Sequence, residues 1–301
     1  MRLLVRHQST WAFPSPATLG PHLIRLRPAS HTRANIEAYQ LAIRPTGDLR
    51  WIQDPYGNAV ARLTYRTGVL VEALDVTVEF SCDIAPVNPF DFLVDARCAT
   101  APFHYPPELG PDLAPFLDRN EESVRGGARL AAFLDTLPTE GDTVHLMMQL
   151  NAAVHQLTQY VVREEVGIWT PERTLLEGCG SCRDSAVLLI AALRSRGLAA
   201  RFVSGYLIQL ADEASIVGTP AMVTSDDVAL HAWAEVYVPG GGWIGLDATS
   251  GLLCGAGHVP LACTSSPPQA APVEGTSDIA AGHVAFAMQV DRLEPVAPDL
   301  R

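Results

Sequence analysis

Along the first 87 residues, apolar and polar positions alternate in short segments: LIRLRP (23–28), IEAYQLAI (36–43), LRWIQD (49–54), AVARLTY (59–65) and VLVEALDVTVEF (69–80). Period-two alternation in runs rich in β-branched and aromatic residues predicts strands. PTGD (45–48) and DPYGN (54–58) supply the turn chemistry of hairpins between them. Residues 1–87 are therefore expected to form an antiparallel β-sandwich. Residues 88–140 break the pattern. Pro102, Pro106, Pro107, Pro111 and Pro115 exclude long helices there and predict a connector with short helices, draped over a neighbour.

After residue 140 the period changes to that of a helix. In DTVHLMMQLNAAVHQLTQY (142–160), Asp142 stands as an N-cap before Val144, Met147, Leu150, Val154 and Leu157. CRDSAVLLIAALRSRG (182–197) predicts a second helix, ending in Arg194, Arg196 and a C′ glycine, Gly197. Strands follow at 199–210, 230–238 and 242–249, the last two joined by a hairpin at VPGGGW (238–243). Residues 211–229 and 264–277 read as loops, and HVAFAMQV (283–290) as a closing strand. The fold class is thus α+β: a sandwich over 1–87, a connector over 88–140, and an α+β domain over 141–301. No internal repeat is present.

At 301 residues, with 48% hydrophobic and 18% charged residues, the chain can bury a sizeable core. A net charge of −12 offers no basic stripe for nucleic acid. Apolar runs fall short of the ~20 residues of a membrane span. MRLLVRHQSTW lacks the apolar core of a secretory leader, so a cytoplasmic location is expected. The basic residues are all arginine. No mechanism here can use a lysine as base or Schiff-base former.

Six cysteines occur, and EGCGSCRD places Cys179 and Cys182 three residues apart. Such a pair can be a redox dithiol, half of a zinc site, or a nucleophile with an incidental neighbour. Cys182 opens the apolar helix, where free N–H groups and the positive dipole end favour a thiolate; Cys179 lies outside it. His231 opens one strand and Asp247 ends the next, so the hairpin brings both to one end of the pair. A thiol, an imidazole and an orienting carboxylate are the parts of a cysteine-nucleophile site. Cys254, His258 and Cys263 could complete a zinc site, but their spacing is irregular. Neither metal nor organic cofactor is expected, calcium included, because no clustered Asp loop occurs.

GSCRD, VSGYL, HAWAEVYVPGGGWIGLDATSG and the order Cys, His, Asp resemble the bacterial transglutaminase-like superfamily, a papain-like fold, over about residues 140–292. PHLIRLRPASHTR and WIQDPYGN are similar to the β-rich N-terminal region common in such proteins. The resemblance implies Cys182 as nucleophile, His231 as base and Asp247 as orienting acid. This chain has Asp247-Ala248-Thr249 where the family usually has Asp-Pro-Thr, a change that removes no catalytic group.

Tyr206, Trp233, Tyr160 and Trp169 are candidates for lining the cleft, covering the imidazole or completing an oxyanion hole with the Cys182 N–H. Asp184 reads as a first-turn acid matching the helix dipole, with Arg183 its exposed neighbour. His145 and His155 read as surface or helix-packing residues rather than ligands. The expected activity is hydrolysis of amide or peptide bonds in a peptide or protein substrate, through a thioester. The alternatives are transfer of the acyl group to an amine, as in a transglutaminase, or a non-catalytic binding or assembly module. The resemblance also implies a possible ATP-grasp-type pathway partner. The loop 211–229, carrying Asp212, Glu213, Asp226 and Asp227, is a candidate lid; the oligomeric state is not legible.

Overall fold

The computed structural model describes residues 1–163, 167–211 and 225–294. The first half forms β1 (Arg2–Ala17), β2 (Leu19–Ile24), β3 (Asn35–Arg44), β4 (Asp48–Gln53), β5 (Ala59–Thr64) and β6 (Val71–Asp83). The connector carries β7 (Thr100–Ala101), α1 (Gly110–Leu117) and α2 (Ala128–Asp135), both helices being 8 residues long. The second half comprises β8 (Gly141–Asp142), α3 (Thr143–Leu157), β9 (Gln159–Tyr160), α4 (Pro171–Glu177), β10 (Cys179–Gly180) and α5 (Cys182–Ser195). It continues through β11 (Ala200–Gln209), β12 (Asp227–Val238), β13 (Gly242–Asp247), β14 (Leu252–Leu253) and β15 (His258–Thr264) to β16 (Val273–Ser277) and β17 (His283–Arg292).

The sandwich consists of two four-stranded sheets, in the orders β17-β1-β6-β3 and β16-β2-β5-β4. Three features depart from the sequence expectation. The N-terminal strand β1 is central to the first sheet, although only the segment from residue 23 onward reads as strand. Its inward positions are Leu3, Val5, His7 and Ser9, all buried, and the two polar ones obscure the alternation. They are satisfied internally: His7 Nδ1 lies 2.8 Å from the Tyr206 hydroxyl and Nε2 lies 2.7 Å from Ser9 Oγ. The closing strand forms as expected, but pairs with β1 from Leu3↔Arg292 to Ala12↔His283. Within the expected loop 264–277, residues 273–277 form β16 against β2. The chain thus returns from its second half to complete both sheets of its first. Alternation marks a strand but says nothing of its partner.

In the second half, α5 packs on an antiparallel sheet of order β14-β13-β12-β11-β15. Every residue from Asp184 to Arg194 is buried, so α5 is a core helix rather than an amphipathic surface one. Val187, Leu189 and Leu193 share a cluster with Leu146, Met147, Leu150 and Val154 of α3 and with Ala232, Ala234 and Val236 of β12. Asp142 caps α3 as expected, accepting the His145 N–H at 2.8 Å. A second core is shared between the halves: Tyr206, Ile208, Val228, Val259 and Leu261 pack with Val5, Val76, Val78 and Phe80. Among the described residues no helix is long and apolar enough to cross a membrane.

Candidate active site

The start of α5 is fixed by a box of hydrogen bonds. The Ser181 N–H and hydroxyl both donate to Asp184 Oδ2, at 2.9 and 2.7 Å, and the Asp184 N–H returns to the Ser181 carbonyl at 3.1 Å. Asp184 is wholly buried. It also accepts from Arg163 Nε at 3.0 Å, Arg163 Nη2 at 2.9 Å and the Trp169 N–H at 2.7 Å. Burial alone would raise its pKa; Arg163 and then the Trp169 and Ser181 donors hold it below the ordinary carboxylate value. Asp184 is therefore the anchor that ties the segment before α4 to the first turn of α5. Arg183 is half-buried rather than exposed, and donates to the Arg163 carbonyl at 3.0 Å.

This first turn presents Cys182, half-buried, as its first residue. Its N–H belongs to the group that has no intrahelical acceptor. Across from it, the β12–β13 ladder runs from Val238↔Gly242 to Ala234↔Leu246, so His231 and Asp247 lie just past its open end. His231 Nε2 is 3.2 Å from Asp247 Oδ2, close enough for an ion pair but off the line of a well-formed hydrogen bond. Cys182 is the other hydrogen-bond and charge partner of the same imidazole. Burial works against a charged ring at His231, but Asp247 and Cys182 outweigh it and raise its pKa. Asp247 is likewise buried, yet its two histidine neighbours, His231 and His258, hold it well below the carboxylate range. The Thr249 N–H donates to Asp247 Oδ1 at 2.8 Å, so the Asp-Ala-Thr turn holds the carboxylate without the family's proline.

The remaining candidates divide. Trp233 is buried, and its ring stacks on that of His231 with centroids 6.3 Å apart and planes at 29°; it covers the imidazole and packs the sheet at once. Opposite His231 on β11 is Gly205, where a Cβ would come within 2.3 Å of the Trp233 ring and 2.5 Å of the Val259 carbonyl. Tyr160 is 49% exposed, and burial, followed by the charges of Cys182 and Asp247, raises its pKa; β9 places it beside Gly180, two residues before Cys182. Tyr206 is no cleft residue: it is fully buried in the shared core, its hydroxyl bound to His7 and its ring 5.6 Å from Phe80. Its place on the strand before His231 does not say which face it takes. Trp169 is tied to the start of α5. Its N–H is held by Asp184, and Arg163 and Arg173 lie 4.8 and 4.1 Å from its ring.

Cys179 pairs with Gln159 in a two-residue parallel ladder, and all six cysteines are free. His145 and His155 are exposed, as expected. Asp212 and Glu213 of the candidate lid lie outside the described residues; Asp226 accepts the Ala211 N–H and pairs with Arg292, and Asp227 begins β12. Among the described residues two clusters have donor atoms close enough for a metal: His231, Asp247 and His258, and His31, Glu235 and Cys263. In the second, Arg201 lies 2.6 Å from Glu235 and already supplies the cation. Sequence reasoning weighed His258 only as a zinc ligand and missed its approach to the site, where Nε2 is 3.4 Å from Asp247 Oδ2.

Comparison with known proteins finds matches over both halves of the chain. Residues 3–83 match the bacterial transglutaminase-like N-terminal region and residues 138–248 the transglutaminase-like superfamily. An uncharacterized protein of Mycobacterium tuberculosis (strain ATCC 25618 / H37Rv) is 27% identical over 261 residues, covering 84% of this chain and 80% of its own. Another from Mycobacterium leprae (strain TN) is 24% identical over 292 residues, covering 91% and 92%. The crystal structure of "a Putative Cysteine Protease from Cytophaga hutchinsonii" superposes with a TM-score of 0.67 at 18% identity, over 98% of this chain and 92% of that one. At that identity the likeness is one of fold.

Proposed function

The chain belongs to the transglutaminase-like superfamily, a family of thiol-dependent hydrolases and acyltransferases, and on that footing we propose that it is a cysteine peptidase or amidase acting through Cys182, His231 and Asp247. The observation that carries the reading is the buried His231 ring set between the Cys182 sulfur and the Asp247 carboxylate. A raised imidazole pKa supports a protonated His231 ring beside the Cys182 sulfur.

In this reading the Cys182 sulfur attacks a carbonyl carbon, and the carbonyl π pair moves onto oxygen. The Cys182 N–H is one donor to that oxyanion and the Tyr160 hydroxyl the other. Collapse re-forms the carbonyl and breaks the C–N bond as His231 gives its proton to the departing amine, leaving a thioester. Neutral His231 then takes a proton from water, whose oxygen adds to the thioester. Loss of the thiolate regenerates the ion pair. Asp247 stays ionised and holds the ring.

The reading is tested with an activated acyl ester as donor, following acylation by intact mass and the fate of the acyl group with and without added glycinamide. The expected result is a Cys182-linked acyl group, absent in Cys182→Ala and released mainly as the free acid. Release mainly as the amide would make the protein an acyltransferase. No adduct at Cys182 with any donor would overturn thiol chemistry and favour the binding module.

A further inference from the structure

We propose that His258 is a fourth member of the site, a positioning residue that holds the Asp247 carboxylate in place for His231. The inference rests on the proposed thiol chemistry and goes beyond it, since neither the Cys–His–Asp order nor the matched residues 138–248 include position 258.

The chain brings His258 there by crossing the end of the sheet. β14 pairs with β13 at Asp247↔Leu252, on one edge, and β15 lies at the other edge, beside β11. Between them, residues 254–257 travel across the intervening strands. The Cys254 N–H donates to the Gly245 carbonyl at 2.9 Å, and the Ile208 N–H to the Gly257 carbonyl at 2.9 Å. The crossing is close: a Cβ on Gly257 would sit 2.2 Å from the Ile208 carbonyl oxygen. His258 is the first residue after the crossing, 12% exposed in its side chain, and its ring faces back over the sheet end.

Its hydrogen bonds assign its tautomer. The Gly255 N–H donates to Nδ1 at 3.2 Å, so Nδ1 is the acceptor nitrogen and Nε2 carries the proton. That Nε2–H points at Asp247 Oδ2, 3.4 Å away. The same assignment argues against a metal at His231, Asp247 and His258, because a ligand needs its lone pair on the nitrogen that faces the ion. Trp233 sets the angle between the two imidazoles. Its ring is stacked on His231 and meets the His258 ring edge-on at 5.2 Å and 85°. Asp247 is therefore pinned at both oxygens: Oδ1 by the Thr249 N–H, Oδ2 by His258. A carboxylate so held cannot swing away from His231. Without His258 only Oδ1 is fixed, and the imidazolium loses a partner of constant geometry. The titratable groups that act on His231 are Asp247 from β13 and Cys182 from α5; Asp247 in turn faces His258, Tyr160 from β9 and Cys254 from the crossing, and Cys254 feels Glu235 of β12.

The test is the rate of Cys182 alkylation by iodoacetamide against pH, which needs no substrate, in wild type, His258→Leu and His258→Gln. The Gln side chain can place an N–H donor where Nε2 stood. His258→Leu is expected to react about tenfold more slowly at neutral pH, with the rise of the profile displaced to higher pH, while His258→Gln recovers most of both. A profile for His258→Leu that superposes on wild type would overturn the inference alone. Slow alkylation of wild-type Cys182 would instead overturn the thiol chemistry beneath it. Loss in His258→Leu with no recovery in His258→Gln, both folded by circular dichroism, would mean that the ring packs without donating. One zinc per chain in the purified wild type, absent from both variants by elemental analysis, would also overturn it and make the cluster a metal site.

Discussion

Asp184 and Asp247 are both buried carboxylates two residues or fewer from the chemistry, yet they do different work. Asp184 is bound by five donors from Arg163, Trp169 and Ser181 and has no route to the thiol except through the backbone it holds. Replacing it with Ala would remove a buried carboxylate that pairs with Arg163, itself 8% exposed in its side chain. Breaking a buried pair from one side costs about 3–5 kcal/mol, so Asp184→Ala is expected to lower the urea midpoint sharply. A midpoint within error of wild type would contradict the anchoring role. Tyr160 makes the opposite kind of claim. Tyr160 is half-exposed, so Tyr160→Phe should leave the melting temperature unchanged while lowering kcat by about 10²-fold. Unchanged kcat would remove it from the oxyanion hole.

Among the elements, the fit of β11 against β12 controls the site. Gly205 lies opposite His231 and leaves room for the Trp233 ring, so Gly205→Ala should displace that ring from the imidazole and cost activity as well as stability. A variant with wild-type kinetics would show that Trp233 is merely packing. The neighbouring join between β1 and β11 has a pH dependence of its own. Burial lowers the pKa of His7 to about 4. A group whose folded pKa lies below its unfolded value near 6.5 contributes stability that is complete above 6.5 and declines as pH falls towards 4. Denaturation midpoints should fall over that window in wild type and much less in His7→Phe; parallel curves would contradict it. The same residue explains what the sequence concealed. The Cys182 helix, the α3 cap and the His–Asp hairpin were legible because capping residues and periodicity are local signals. β1 was not, because two of its inward positions are His7 and Ser9. The partners of β16 and β17 and the approach of His258 to Asp247 depend on a chain path that no spacing records.

For the whole molecule, the consequence is that the sandwich and the site are one unit. β16 and β17 close both sandwich sheets, and Tyr206, Ile208 and Val259 share a core with Val76, Val78 and Phe80. Removing residues 278–301 would expose the β1 edge and part of that core, so the truncated chain is expected to aggregate. A soluble, active truncation would contradict the shared core. The function itself turns on a smaller assembly, the thiol and imidazole brought together by α5 and β12. The direct measurement is the pH dependence of iodoacetamide alkylation, located by peptide mass spectrometry, in wild type, Cys182→Ala and His231→Ala. The account predicts that Cys182 labels well ahead of the other five cysteines below pH 7 and loses that advantage in His231→Ala. Labelling of Cys182 no faster than the rest, and unaffected by His231→Ala, would contradict it.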